Sequence, residues 1–140
     1  MTQSVDTAQK PVPEPDEASQ PFFDGALQGT LMIQRCDNCG AFLAPGGHAC
    51  TECLSEALSW VAASGRGTLH TFGIMHQRYH PAFAGEIPYN IAVVELAEGP
   101  RLNSNIVDCR NEDLRVGMPL TVVFERMSAD VAIPKFRPAG

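Results

Sequence analysis

Four of the five cysteines in this 140-residue chain fall within eighteen positions, CDNCGAFLAPGGHACTEC, residues 36–53. Cys36 and Cys39 are separated by two residues, Cys50 and Cys53 likewise, and ten residues lie between the pairs. A tight C-x-x-C turn points both sulfurs inward, and two such turns face to face make a thiolate tetrahedron with zinc–sulfur distances of about 2.3 Å. Gly40, directly after the second cysteine, can take the positive φ that lets such a turn curl its N–H groups toward sulfur. Leu54 stands at the matching place in the second turn, where it suits that backbone less well. Two other uses of paired cysteines fit poorly. A redox dithiol opens a helix beside a βαβ pattern, whereas glycine- and proline-rich loop and strand lie between these pairs. Disulfides need a secreted context, and MTQSVDTAQKPVPEPDEASQP has neither an apolar leader core nor a run long enough to cross a membrane. A structural zinc ion on Cys36, Cys39, Cys50 and Cys53 is the expectation. The cysteines fill four positions, so His48 reads as a solvated loop histidine.

The elements that position these thiolates are short. TLMIQRC reads as a strand delivering Cys36, and AFLAP as its return strand, together the outline of a zinc ribbon. Before them, Phe22, Phe23, Ala26 and Leu27 share one side of a short helix that begins after Pro21 and stops at Gly29. Residues 1–20 are rich in Pro, Glu, Asp, Gln and Ser; with almost no apolar side chains to offset the entropy of ordering, they read as a disordered tail. After Trp60 the texture changes to short strands with turn signals: GTLHTFGIMH, NIAVVELA, RLNSNIVDC and LTVVFERM. Four or five strands in about eighty residues make a small barrel or sandwich, and the five-stranded OB barrel closes its own edges at this length. The expected fold is therefore mainly β, with a tail over 1–20, a helix and zinc ribbon over 21–60, and an OB-fold barrel over 61–140.

The formal charge of −6 is uneven. Residues 1–60 carry two basic and eight acidic side chains, and residues 61–140 carry eight of each. No segment has the basic surplus that a phosphate backbone requires. Thiolate ligands without a leader point to the reducing cytoplasm. The fifth cysteine, Cys109, reads as a small buried hydrophobe near a strand end.

The strands are interrupted by HQRYHPAFAGEIPYN, residues 76–90, too long a connection to be idle in so small a domain. Tyr79, Phe83 and Tyr89 either cap the barrel as core or face a ligand or partner. His76 and His80 have no carboxylate or serine at a telling spacing to make a catalytic base. A zinc with four thiolates has no open position for water. No catalytic residue is therefore expected.

The ordered series FFDGALQGTLMIQRCDNCG, CTEC, GRGTLHTFGIMH, PYNIAVVELAEGPRL, VGMPLTVVF and PKFRP resembles the OB-fold proteins with a rubredoxin-like zinc ribbon, long catalogued as domain of unknown function 35. The likeness runs over about residues 20–138. Where that family often has a proline and an arginine after the first knuckle, this chain has Pro45, Gly46 and Gly47. The resemblance implies an accessory subunit of a hetero-oligomer, paired with a thiolase or sterol-carrier-type thiolase homologue that acts on acyl-CoA in lipid or steroid degradation. The partner would then hold the catalytic residues. On that reading Phe22, Phe23 and Leu27 offer an apolar face to the partner, and the loop with His76, Tyr79, Phe83 and Tyr89 reaches toward substrate. Rubredoxin-like sites accept zinc or iron, and zinc is favoured because nothing signals a redox role. The alternative is a single-stranded nucleic-acid binder, since ribbons and OB barrels both serve that use. As a stand-alone enzyme the chain would rely on Arg66, Arg78, Arg101 and Arg126 for CoA phosphates, but arginines in a strand-rich domain are mostly surface groups.

Overall fold

The computed structural model of the chain describes residues 12–77 and 85–139. The last part of the stretch expected as tail forms a hydrogen-bonded turn. The Asp16 carboxylate accepts the Ser19 backbone N–H and hydroxyl, both at 2.8 Å, and the Ser19 hydroxyl accepts the Asp16 N–H at 3.0 Å. Helix α1 (Gln20–Leu27) follows, with Pro21 in the first turn where its missing N–H costs no intrahelical bond. It ends as the sequence suggests. Gly29 sits at φ +81°, its N–H bonds the Ala26 carbonyl at 3.1 Å, and the Thr30 N–H bonds the Gly25 carbonyl at 2.8 Å, the Schellman arrangement. Gly25 allows the helix to lie directly on the next strand, because a Cβ there would sit 2.4 Å from Met32 Cγ.

Strands β1 (Met32–Cys36), β2 (Phe42–Leu43) and β3 (Leu58–Ala62) form an antiparallel sheet in the order β2-β1-β3. β1 and β2 are the expected pair. β3, LSWVA, is an addition: four of its five residues are half-buried and none is fully buried, so no alternation marks it in the sequence. It pairs along the whole of β1, from Met32 with Ala62 to Cys36 with Leu58, and crosses residue 60, where the texture of the chain changes.

Strands β4 (Arg66–Met75), β5 (Tyr89–Leu96), β6 (Arg101–Ser104), β7 (Pro119–Arg126) and β8 (Ala132–Pro138) make a second sheet in the order β6-β5-β4-β7-β8. Its two edges meet. Ile106 forms a parallel bridge with Phe136, flanked by the Val107 N–H to the Phe136 carbonyl at 2.7 Å and the Phe136 N–H to the Asn105 carbonyl at 3.1 Å. This is the curled sheet of an OB fold. Curling is helped by a bulge in β4: Leu69 pairs with Val94 and Thr71 with Val93, leaving His70 as the extra residue. Of the five strands, β8 (AIPKFRP) has no counterpart in the strands read from sequence, because Pro134 and Pro138 argue against a strand. They are tolerated at the sheet edge, where a missing N–H leaves no ladder bond unmade.

The inward positions of β5 alternate as expected for a period of two, with Asn90, Ala92, Val94 and Leu96 buried. Phe136 of β8, Leu69 of β4 and Leu120 of β7 complete the barrel core. Leu31 and Ile33 at the start of the ribbon belong to that same cluster, and Phe22 of α1 packs against it. Ribbon and barrel thus share one core, with each fully buried leucine or isoleucine contributing about 1.5–3 kcal/mol. Cys109, expected to be buried, is only half-buried against this cluster, and its thiol donates to the Arg110 carbonyl at 3.4 Å. Among the described residues no helix is long and apolar enough to cross a membrane.

Candidate metal centre

The two knuckles are built alike. In the first, the Cys36 N–H bonds the Ala41 carbonyl at 2.8 Å and the Gly40 N–H bonds the Cys36 carbonyl at 2.9 Å; in the second, the Cys50 N–H bonds the Ser55 carbonyl at 2.8 Å and the Leu54 N–H bonds the Cys50 carbonyl at 2.9 Å. Gly40 and Leu54 hold the same left-handed backbone, φ +79° and +67°. Glycine adopts it freely, while a residue with a β-carbon loses about 1–2 kcal/mol there. β1 delivers Cys36, and β3 with the residue before it braces the knuckle from behind: the Asp37 N–H bonds the Ala57 carbonyl at 2.8 Å, and the Ser59 hydroxyl donates to the Asp37 carboxylate at 2.7 Å. The buried Gln34 holds the loop between the knuckles by accepting the Gly47 N–H at 3.0 Å. Arg35 ties the first knuckle to β2, bonding the Gly40 carbonyl at 3.2 Å with its guanidinium 5.0 Å from the Phe42 ring centroid.

The four sulfurs converge within 4.8 Å of one another. Cys36 lies 3.5 Å from Cys53, and Cys39 lies 3.6 Å from Cys50. A regular tetrahedron with zinc–sulfur bonds of about 2.3 Å has sulfur–sulfur edges of about 3.8 Å, so the donor set fits zinc in size as well as in softness. Backbone N–H groups already face the sulfurs, Cys39 toward Cys36 at 3.4 Å and Glu52 toward Cys50 at 3.3 Å, and the Asn38 side-chain amide faces Cys53 at 3.5 Å. The thiols do not ionise alike in the absence of a cation. The Asn38 amide and the Ser55 N–H draw Cys53 down to about 6. At Cys39 the Ala41 N–H favours the thiolate, yet the Cys50 thiol, burial and the Cys53 and Cys36 thiols push it up to about 12. A divalent cation at the centre supplies the charge that allows all four to be thiolates. Cys36, Cys39, Cys50 and Cys53 would hold it with no position left for water or substrate, the pattern of a structural site. His48 is exposed beside the knuckle.

The other residues singled out in the sequence are dispersed. Phe22 and Phe23 meet edge to face, with ring centroids 5.1 Å apart, and Phe22 leans on the barrel core. His76 is exposed just after β4. Tyr79, His80 and Phe83 lie outside the described residues, as does Arg78. Arg101 pairs with Glu95 at 3.5 Å and Arg126 bonds the Ala129 carbonyl at 3.1 Å, as surface arginines do. Tyr89 is half-buried and lines a cavity of about 400 Å³ with Asn105, Val107, Glu125, Ile133 and Lys135. The Lys135 side chain is 16% exposed, hydrogen-bonds Asn105 Oδ1 and lies 3.6 Å from a Glu125 carboxylate oxygen. Sequence reasoning did not single out Lys135; a lone cation inside the apolar run AIPKF was its only signal.

A family model described as the rubredoxin-like zinc ribbon domain of ChsH2 matches residues 23–59, and one described as the C-terminal OB-fold domain of ChsH2 matches residues 60–125. The chain is 35% identical over 139 residues to a protein of Thermomonospora curvata named probable enoyl-CoA hydratase alpha subunit. That match covers 99% of this chain and 43% of that subunit's length. It is 36% identical over 101 residues to a DUF35 domain-containing scaffold protein of Methanocaldococcus jannaschii, covering 71% of each chain. Among solved structures, Ltp2-ChsH2(DUF35) aldolase superimposes with a TM-score of 0.80 at 35% identity, covering 91% of this chain and 99% of that one.

Proposed function

The chain belongs to the ChsH2 family of DUF35 proteins, and on that premise we propose that it is a non-catalytic, zinc-binding subunit partnering a thiolase-like enzyme, either a thiolase or a steroid side-chain aldolase, and helping to bind acyl-CoA. The observation that carries this reading is the closed set of four cysteines: a centre of that kind holds a surface in shape and offers the metal no open position for catalysis. The names of the relatives support its coarser part, a chain that works within a larger enzyme: one is an enoyl-CoA hydratase alpha subunit, one a scaffold protein, and one an Ltp2-ChsH2 aldolase.

Within that reading the ribbon, residues 21–60, and the barrel, residues 61–140, have different tasks. The ribbon and α1 face the partner enzyme. The barrel contributes the cavity beside Tyr89 and Lys135, which Glu86, ahead of β5, and Met127, after β7, also line, on the side of the loops with which OB folds take ligands. Lys135 would meet a polar group of the acyl-CoA there, and Ile133 and Val107 its apolar portion. The lining carries Glu86 and Glu125 against a single lysine, a poor match for a nucleic-acid backbone. Thiolate ligation suits a reducing cytoplasm. Affinity purification of the chain from its native cell, followed by identification of the co-eluting protein and assay of that protein's acyl-CoA turnover with and without the chain, tests the reading. A thiolase-like companion whose turnover depends on the chain is expected. A stable monomer that changes no thiolase activity would defeat it.

A further inference from the structure

Leu54 occupies in the second knuckle the place that Gly40 fills in the first, with the same hydrogen bond and the same left-handed backbone. Leu54 is nevertheless the most exposed of the large apolar residues among those described, at 79%. The fold gains nothing from a leucine here. The backbone is strained by a β-carbon, the isobutyl group stands in water, and Leu54 is absent from the core cluster. Glu52 and Glu56, two residues to either side, are both exposed, and four thiolates around a divalent cation leave a further net charge of about −2 behind them. We propose that Leu54 is an apolar knob on a docking surface, and that its occupant is a partner protein presenting an apolar depression rimmed by lysine or arginine. Burial in that depression recovers the free energy lost by exposing leucine, and the acidic flanks choose a basic rim and steer approach to it.

This inference rests on the reading above only in requiring a protein partner. The test titrates the protein that co-purifies with the native chain against wild-type chain, Leu54→Gly, Leu54→Asn and the double variant Glu52→Lys/Glu56→Lys. Glycine and asparagine both accept the left-handed backbone, so zinc content and melting temperature should hold or rise. Binding should weaken at least tenfold in both Leu54 variants. The double charge variant should bind more weakly at low salt and lose most of the salt dependence. Binding of Leu54→Gly within twofold of wild type, with zinc retained, overturns the knob even when the partner is thiolase-like. Tenfold weakening with a partner that is not thiolase-like sustains the knob and overturns the thiolase reading, and recovery of no partner overturns both.

Discussion

The side-chain amide of Asn90 grips the backbone of Ile106 at both polar groups, its Oδ1 accepting the Ile106 N–H at 2.7 Å and its Nδ2 donating to the Ile106 carbonyl at 2.9 Å. Asn90 is 6% exposed at the start of β5, and Ile106 is the residue that bridges to Phe136 where the sheet edges meet. A side chain therefore completes the pairing that closes the barrel. Asn90→Ala leaves both groups of Ile106 unsatisfied in the interior, at about 1–3 kcal/mol each. The expected loss is about 2–6 kcal/mol in urea unfolding monitored by tryptophan fluorescence. A loss below about 0.5 kcal/mol would mean that Ile106 finds other partners.

Metal analysis of the purified chain should find one zinc per molecule. With the ion bound, a thiol reagent should reach Cys109 alone, and that slowly; after chelation all five cysteines should react. Because Leu31 and Ile33 belong to the shared core, loss of the ion should also lower the melting temperature of the barrel. Cys36→Ser should release the metal and unfold the ribbon while leaving much of the barrel; full zinc occupancy in that variant would contradict the four-thiolate centre. Acid should act in the same direction, since protons compete for the thiolates.

Gly25→Ala should be costly despite the higher helix propensity of alanine. The new Cβ would stand 2.4 Å from Met32 Cγ and 3.0 Å from the Thr30 carbonyl oxygen, so α1 must lift off β1. Overpacking of this kind costs about 1–3 kcal/mol. In a Met32→Ala background the cost should shrink, and a double-mutant cycle with zero coupling would refute the contact.

Asp16 is held below its ordinary value of 3.8, first by the Ser19 hydroxyl and then by the Ser19 N–H. A depressed carboxyl stabilises the folded state above its unfolded pKa, and that contribution is lost as pH falls through the lower folded value. Below pH 3.8 the turn before α1 should loosen. Carbon-detected titration by NMR should place Asp16 below 3.8 in the wild type and closer to it in Ser19→Ala. Identical titration in both chains would remove Ser19 as the cause.

The sequence by itself determined the elements whose reason is local. Doubled C-x-x-C spacing reports the metal site because a knuckle is made within six residues, and even the awkward fit of Leu54 is visible beside Gly40. The stop at Gly29 and the alternation of NIAVVELA are equally local, one a matter of backbone conformation and the other of a single pleated face. What only the tertiary structure decided involves pairs far apart in the chain. β3 is a strand because β1 is beside it, and β8 carries two prolines because it lies at an edge that closes through one parallel bridge at Phe136. Lys135, Glu125, Asn105 and Tyr89 acquire a common cavity only when that edge is drawn in, and Leu31 and Ile33 become part of the barrel core only when the ribbon docks. Hydrophobic burial and closure depend on which surfaces meet, and no spacing along the chain encodes that meeting.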